Sequence, residues 1–333
     1  MEKRIKELYN DSILDQALER YGIDKENVGL LDGFESFIYE YQKDGGRYVL
    51  RVSHDLHRTS DMIQGELEWV NHLANGGVPA ARAVPSQRGN LVEAIAAQDG
   101  SHFTAASFEW ARGSHVSQED WNGGLIVKLG QIVGRMHALT THFEPSDARF
   151  RRLDWDAEHP ASFAERYLPA AETKVVAKFN DLTAYLHTLP QEKDSYGLIH
   201  TDVHRGNFFV DDGAITLFDF DDSQYAWFVY DIAMALFYAI SHNCVTPELV
   251  EQASSFIKQF MEGYRREYSL DPRWMRQIPY FLKLREMDLY VVIHRSFDVN
   301  NLDPWCASFM DNRKYKIEND VPYVELDWER MGE

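Results

Sequence analysis

The stretch Gly197-Leu198-Ile199-His200-Thr201-Asp202-Val203-His204-Arg205-Gly206-Asn207-Phe208-Phe209-Val210 sets a His-x-Asp-x-x-x-x-Asn pattern on a loop leaving a short apolar run. Leu217-Phe218-Asp219-Phe220-Asp221-Asp222 follows, with a second apolar run ending on an acid beside that loop. Phosphoryl transfer calls for these residue types. A carboxylate must orient the attacking hydroxyl and take its proton, while an amide oxygen and a second carboxylate hold Mg²⁺ on the phosphates. Asp202, Asn207 and Asp219 offer those three groups. An aspartate in a turn is ordinarily a cap or turn former. It is the arrival of Asp219 so soon after the first motif that favours the chemical reading.

Upstream, the hydrophobic period changes from 3.6 to 2. Residues 4–21 carry Ile5, Leu8, Tyr9, Leu14, Ala17, Leu18 and Tyr21 in a helical stripe closed by Gly22. Phe34 to Tyr41 and Arg47 to Ser53 then read as strands around a hairpin at Lys43-Asp44-Gly45-Gly46. A helix is predicted from Ser60 to the Gly76-Gly77 stop, and two further strands at Leu91 to Ala96 and His102 to Glu109. A connector, Trp110 to Val116, leads to a Ser117-Gln118-Glu119-Asp120 capping box that should open the next helix. One long helical stretch is predicted over Ser162 to His187. Helices fill the chain after residue 222. The apolar run Ala226 to Ile240 is too short to span a bilayer and contains Asp231, so it reads as a buried core helix.

Composition narrows the function. With 44% hydrophobic and 13% aromatic residues in 333, the chain can bury a core and is not disordered. A formal net charge of −19 repels nucleic acid and would require metal ions and local basic groups around any bound triphosphate. The two cysteines, Cys244 and Cys306, have no near neighbours to pair with or to complete a zinc site, which fits a reducing, cytoplasmic setting. The opening Met-Glu-Lys-Arg-Ile-Lys does not resemble a signal peptide.

The catalytic segment resembles that of the aminoglycoside phosphotransferase and choline kinase-like family, whose fold is similar to that of protein kinases. Val28 to Ser36 resembles that family's first strand and nucleotide-covering loop, with the single Gly33. Arg47 to Val52 resembles the third strand, Gly65 to Trp69 the helix whose Glu meets its basic residue, and Phe108 to Gly113 the hinge. Leu129 to His137 resembles the helix beneath the hinge, and Tyr230 to Ala233 the helix start after the metal-binding strand. The resemblance implies an α+β, bilobal protein-kinase-like fold: a small antiparallel-sheet lobe over residues 1–109, a hinge over 110–116, and a mostly helical lobe over 117–333. The nucleotide, ATP or GTP with Mg²⁺, would lie between the lobes. It would be bound by Gly33, Ser36, Arg51, Glu66, Glu109 and Ala111, with adenine against the backbone of Glu109 to Ala111. Asp202 would be the catalytic base, and Asn207, Asp219 and Asp221 the metal ligands. Arg51 replaces the lysine of protein kinases, and a guanidinium can still hold phosphate bidentately.

Helical geometry supports Glu66 independently. It follows Ile63 by three and precedes Val70 by four, on the buried side, where it needs a cation such as Arg51. Glu68 lies about 200° around the helix. Asp221 also reads as part of an acidic turn, and His200, His204, His137 and Arg205 as structural or surface groups. Glu286 and Asp288 on a C-terminal helix read first as a solvated face, and the resemblance also makes them candidates for meeting a cationic acceptor. The function expected is transfer of a γ-phosphate to a hydroxyl of a small metabolite, cationic ones included, with neither nucleic acid nor membrane as partner. Two alternatives stand beside it: a metal-dependent hydrolase built on His200, Asp202, His204 and Asp219, and an inactive kinase-fold binding protein.

Overall fold

The computed structural model describes residues 3–31, 33, 35–117, 120–240 and 246–332. Phe34, Cys244 and the Gln118-Glu119 pair of the expected capping box lie outside them. The chain opens with α1 (Lys3–Leu8) and α2 (Asp11–Tyr21), then β1 (Val28–Leu31), β2 (Phe37–Lys43), β3 (Gly46–His54) and α3 (Ser60–Asn75). It continues through β4 (Ala83–Val84), β5 (Val92–Ala96), β6 (His102–Glu109), α4 (Gly123–Thr140), α5 (Pro160–Tyr167) and α6 (Thr173–Leu186). After these come β7 (Tyr196–Ile199), β8 (Phe208–Asp211), β9 (Ala214–Leu217), β10 (Gln224–Trp227), α7 (Phe228–Ala239) and α8 (Pro247–Tyr264). The last helices are α9 (Ile278–Ser296), α10 (Pro304–Met310) and α11 (Arg313–Glu318).

The chain forms two compact units. The first comprises residues 1–115, 142–152 and 208–221. Its antiparallel sheet has the order β1-β2-β3-β6-β4, with β5 also on β6. The two-residue β4 has too little alternation for a period-2 signal. At the β2–β3 hairpin, Asp44 and Gly45 take φ of 50° and 76°, the left-handed values that a tight primed turn needs. The N-terminal stripe is split because Asn10 caps a new helix, its side chain accepting from Ser12 N–H at 3.0 Å. Ile13, Ala17, Leu18 and Tyr21 then pack with Leu50, Val52, Ile95 and Phe103 as the core beside the sheet. The hairpin β8–β9 belongs to this unit, joined to it by bridges Ser114↔Val210 and Ala80↔Leu217.

The second unit holds residues 116–141, 153–207 and 222–333. The helix predicted over Ser162 to His187 is two helices. Leu168, the residue before Pro169, is extended at ψ 151° and ends α5. The start of α4 also differs from expectation. Ser117 and Asp120 do bond each other, but the cap is Asn122, whose side chain accepts from Gly124 and Leu125. Helices α4 and α8 approach closely because a Cβ on Gly130 would come within 2.0 Å of the Phe260 carbonyl, and one on Gly263 within 1.8 Å of Val127's. As expected, α7 is a core helix, buried from Phe228 through Phe237. It packs on α9, α8 and α4 beside the antiparallel pair β7–β10. No helix among the described residues is long and apolar enough to cross a membrane.

Candidate active site

In the first unit, β3 carries Arg51 inward opposite Ala106 of β6. Its guanidinium donates to both oxygens of Glu66 on α3, Nη1 to Oε1 at 2.9 Å and Nη2 to Oε2 at 2.6 Å. Glu66 is fully buried, as its helical position requires. Arg51 Nη1 also lies 3.7 Å from Asp221 Oδ1. The other oxygen of Asp221 meets His57 Nε2 at 3.0 Å and lies 3.8 Å from Arg58 Nε, while His57 reaches Glu35 at 2.9 Å. Burial works against the His57 charge, but hydrogen bonds to Asp221 and Glu35 lift its pKa to about 9. Burial likewise opposes ionisation of Asp221, yet His57, Arg51 and Arg58 hold it well below the usual carboxylate range.

The remaining candidates of this unit surround that cluster in sequence. Ser36 is buried, its hydroxyl 2.9 Å from that of Ser53. Gly33 is exposed in the β1–β2 connection. A Cβ there would lie 2.4 Å from the Ser36 carbonyl oxygen, so the turn has room only for glycine. Past Glu109 the ladder ends: Trp110 N–H donates to the Arg47 carbonyl at 3.2 Å, and the backbone of Ala111 has no backbone partner among the described residues. Asp219 is exposed, with a left-handed φ of 63°. In a non-glycine residue such a conformation stores roughly 1–3 kcal/mol of strain and is over-represented at functional sites.

In the second unit, β7 leads into the loop of residues 200–207. The loop hangs on Asp231 of α7, whose buried carboxylate accepts from the backbone N–H of His200 at 3.0 Å and of Thr201 at 2.7 Å. His137 of α4 meets the same carboxylate at 3.2 Å while its ring stacks on Phe228. So anchored, Thr201 takes φ 67° and presents Asp202. Both oxygens of Asp202 are engaged: Oδ1 by Arg285 Nη2 at 3.0 Å, Oδ2 by His204 Nε2 at 3.0 Å and Asn207 Nδ2 at 2.8 Å. Burial favours the neutral acid, but the His204 hydrogen bond and the Arg285 charge hold Asp202 well below the usual range, so it is ionised. Arg285 also bonds the Tyr238 hydroxyl, and the Tyr238 ring packs on His204 at 4.4 Å.

Several expectations change here. His204 is a direct partner of Asp202, and the His-Asp spacing of two was the available signal. Arg285 gave none, being one charge among several on a mixed-polarity helix. Glu286 is not a solvated face but an internal strut, buried between Arg313 at 2.6 Å and Lys283 at 2.5 Å. The hydrolase set does not assemble. His200 is wholly buried and its Nδ1 faces the Asp202 N–H at 3.4 Å. The metal-capable grouping among the described residues is Glu35, His57 and Asp221, which excludes His200, Asp202 and His204. Arg51 and Arg58 beside Asp221 make that grouping an ion-pair network.

Each unit, taken by itself, presents hard oxygen donors of the kind a divalent cation takes. The amide nitrogen of Asn207 is committed to the carbonyl and carboxylate of Asp202 at 2.9 and 2.8 Å, leaving its amide oxygen as the uncommitted atom. Asp219 offers an exposed carboxylate, and Asp221 Oδ1 is buried with no hydrogen-bond partner. Carboxylate and amide oxygens suit Mg²⁺ or Ca²⁺.

A bidentate Arg–Glu pair behind an antiparallel sheet, together with an ionised Asp bonded to an Asn five residues on, defines a kinase-fold phosphotransferase. The comparisons agree, and the chain belongs to the phosphotransferase enzyme family, whose model matches residues 28–278. Within that family it is a small-molecule kinase. It is 37% identical over 331 residues to the amicoumacin kinase of Bacillus subtilis (strain 168), covering 99% of this chain and 98% of that one. The solved structure of amicoumacin kinase hAmiN in complex with AMP-PNP, Ca²⁺ and Ami superposes with a TM-score of 0.93 at 36% identity, covering 99% of this chain and 100% of that one. A microcompartment-associated aminopropanol kinase shares the fold, with a TM-score of 0.71 at 23% identity over 93% of this chain and 98% of its own.

Proposed function

We propose that this enzyme transfers the γ-phosphate of ATP to a hydroxyl of amicoumacin or of a compound of closely similar build. The observation that carries the reading is the Asp202 carboxylate, held ionised in a fixed orientation by Arg285, His204 and Asn207. In this reading Asp202 orients the acceptor hydroxyl and takes its proton as the oxygen attacks the γ-phosphorus and ADP leaves. Arg51, fixed by Glu66, spans the α- and β-phosphates, as the bidentate geometry of a guanidinium allows. The backbone of Glu109 to Ala111 takes the adenine edge, and Gly33 and Ser36 belong to the turn over the phosphates. A divalent cation would be held by Asn207 and Asp219, with Asp221 as a further acid, and would neutralise charge developing on the phosphates. The similarity to amicoumacin kinase along nearly the whole of both chains supports the acceptor.

The test is ATP consumption with Mg²⁺ in the presence of amicoumacin, then of a library of hydroxylated metabolites, with the product weighed for one added phosphoryl group. Stimulated turnover with amicoumacin, absent in Asp202→Asn, is expected. Turnover by Asp202→Asn equal to that of the native enzyme would sink the mechanism, and stimulation only by other acceptors would sink the substrate.

A further inference from the structure

Thr201 holds a backbone conformation to which its side chain is ill suited. Its φ of 67° is left-handed, a region that glycine, asparagine and aspartate enter with little strain and a β-branched residue only under constraint. The residue is also buried. The register of the β7–β10 ladder shows what threonine contributes there. That ladder runs from Tyr196 paired with Trp227 to Ile199 paired with Gln224. Continued beyond the strand ends, the same register sets Thr201 opposite Asp222. The left-handed turn takes the Thr201 N–H out of the ladder and onto the Asp231 carboxylate at 2.7 Å. The rung is made by the side chain instead. The Thr201 hydroxyl donates to the Asp222 carbonyl at 2.9 Å and shares its proton with the His200 carbonyl at 2.6 Å. The branch stiffens χ1 and so keeps the hydroxyl on both carbonyls. Glycine would take the turn without strain and leave the rung unmade.

We propose that Thr201 is a positioning residue for the phosphoryl transfer, its hydroxyl standing in for a backbone rung so that the loop turns to Asp231 and stays tied to the chain entering β10. The inference rests on the kinase reading above and adds a residue to that same site. Asp202 follows Thr201 directly, so the turn at 201 sets the direction in which its carboxylate leaves the backbone. Two anchors fix that turn, Asp231 of α7 through the N–H and Asp222 through the hydroxyl. With the hydroxyl removed one anchor remains, and the loop can rock about it. A displacement of about 1 Å in a reacting group can cost roughly 10²-fold in rate. Strain of this kind persists where the surrounding structure over-determines it, as the two anchors do here.

Thr201→Ser, Thr201→Gly and Thr201→Val are compared with the native enzyme. Serine keeps the hydroxyl, glycine suits the turn but lacks it, and valine keeps the branch but lacks it. Turnover is measured with ATP, Mg²⁺ and amicoumacin, and amide hydrogen exchange over residues 200–207 gives a readout that needs no turnover. Thr201→Gly and Thr201→Val should lower kcat roughly tenfold or more, with KM for both substrates little changed, while Thr201→Ser recovers most of the rate. Exchange in the loop should quicken roughly tenfold in the same two variants and stay near native in Thr201→Ser. A merely structural role would lower the unfolding midpoint and leave the kcat of the folded protein unchanged. Native kcat in folded Thr201→Gly overturns the proposal, and so does a Thr201→Ser as slow as Thr201→Gly. Should Thr201→Val not fold, Thr201→Gly, whose backbone fits the turn, decides alone. If the native enzyme phosphorylates no acceptor, the kinase reading fails and exchange decides the tie. Native exchange in the variants without the hydroxyl then overturns it, and quickened exchange leaves it standing without the kinase.

Discussion

Removing Glu66 alone should cost the protein more than removing the whole Arg51–Glu66 pair. Glu66 is fully buried and takes two hydrogen bonds from Arg51, at 2.9 and 2.6 Å. Truncating one member of a buried pair strands the other charge, at about 3–5 kcal/mol. Here Asp221 Oδ1 stands 3.7 Å from Arg51 Nη1 and has no hydrogen-bond partner, so it can meet part of the stranded charge. That places Glu66→Ala at the lower end, about 3 kcal/mol. For a unit of this size the loss corresponds to a fall of roughly 10 °C in Tm. The double variant Arg51→Met with Glu66→Leu replaces the pair by apolar groups of similar volume and should recover most of that stability. Nucleotide affinity should follow a different order, being weakened in Glu66→Ala and lost in the double variant. Calorimetric unfolding and titration with a non-hydrolysable ATP analogue measure the two quantities on the same three proteins. A double variant as unstable as Glu66→Ala would refute the desolvation argument. One that still binds nucleotide at native affinity would refute the phosphate role of Arg51.

Asp202→Asn keeps the shape but removes the base, and turnover should fall by roughly 10² or more with nucleotide affinity little changed, read from kcat and calorimetric Kd. Asp219→Asn should instead raise the Mg²⁺ concentration for half-maximal turnover and weaken nucleotide binding together. A variant with a native Mg²⁺ profile would remove Asp219 from the ligand set. Asp288 gives a pH signature, because its pKa in the folded chain is raised from 3.8 to about 7. The folded protein therefore holds a proton that the unfolded chain releases, and this contribution, full below about pH 4, is lost as pH rises through 7. Denaturant midpoints of Asp288→Asn should accordingly gain on those of the native protein between pH 4 and 8 without acceptor, and parallel curves would contradict the burial argument.

How much of this was legible in the sequence depends on the range of the interaction. The period-2 runs, the Asp44-Gly45 turn and the amphipathic α3 are local, and strands, hairpin and helix stand where their residues put them. So does the inward face of Glu66, since helical spacing alone orients it. What failed was decided by one residue against a pattern. Asn10 broke the first stripe, Pro169 the helix predicted through it, and Asn122 took over the cap expected from Ser117. The two-residue β4 is too short to have a pattern. Long-range partners were not legible. Arg285 lies far in sequence from Asp202, and its helix reads as a mixed-polarity face with no hint that one arginine meets the loop of residues 200–207. Glu286 and Asp288 looked alike as acids on α9. Only the placement of Arg313 and Lys283 shows that the first is neutralised and the second is not.

The charge layout joins these observations. A chain of net charge −19 is a poor host for a triphosphate unless cations are gathered where the phosphates lie. In the first unit, where the proposed phosphate site lies, Arg51, His57 and Arg58 converge on Asp221, and His57 is kept protonated by its acidic neighbours. Those cations are tied to carboxylates and so stay fixed in the absence of ligand, which spares the cost of ordering flexible arginines when an anion binds. The second unit follows the opposite logic around its loop. Asp202, the proposed base, is met by one guanidinium, and Asp288 is met by the Tyr230 hydroxyl at 3.5 Å. The same excess negative charge that forces the first unit to concentrate its arginines leaves the second with a single guanidinium on Asp202.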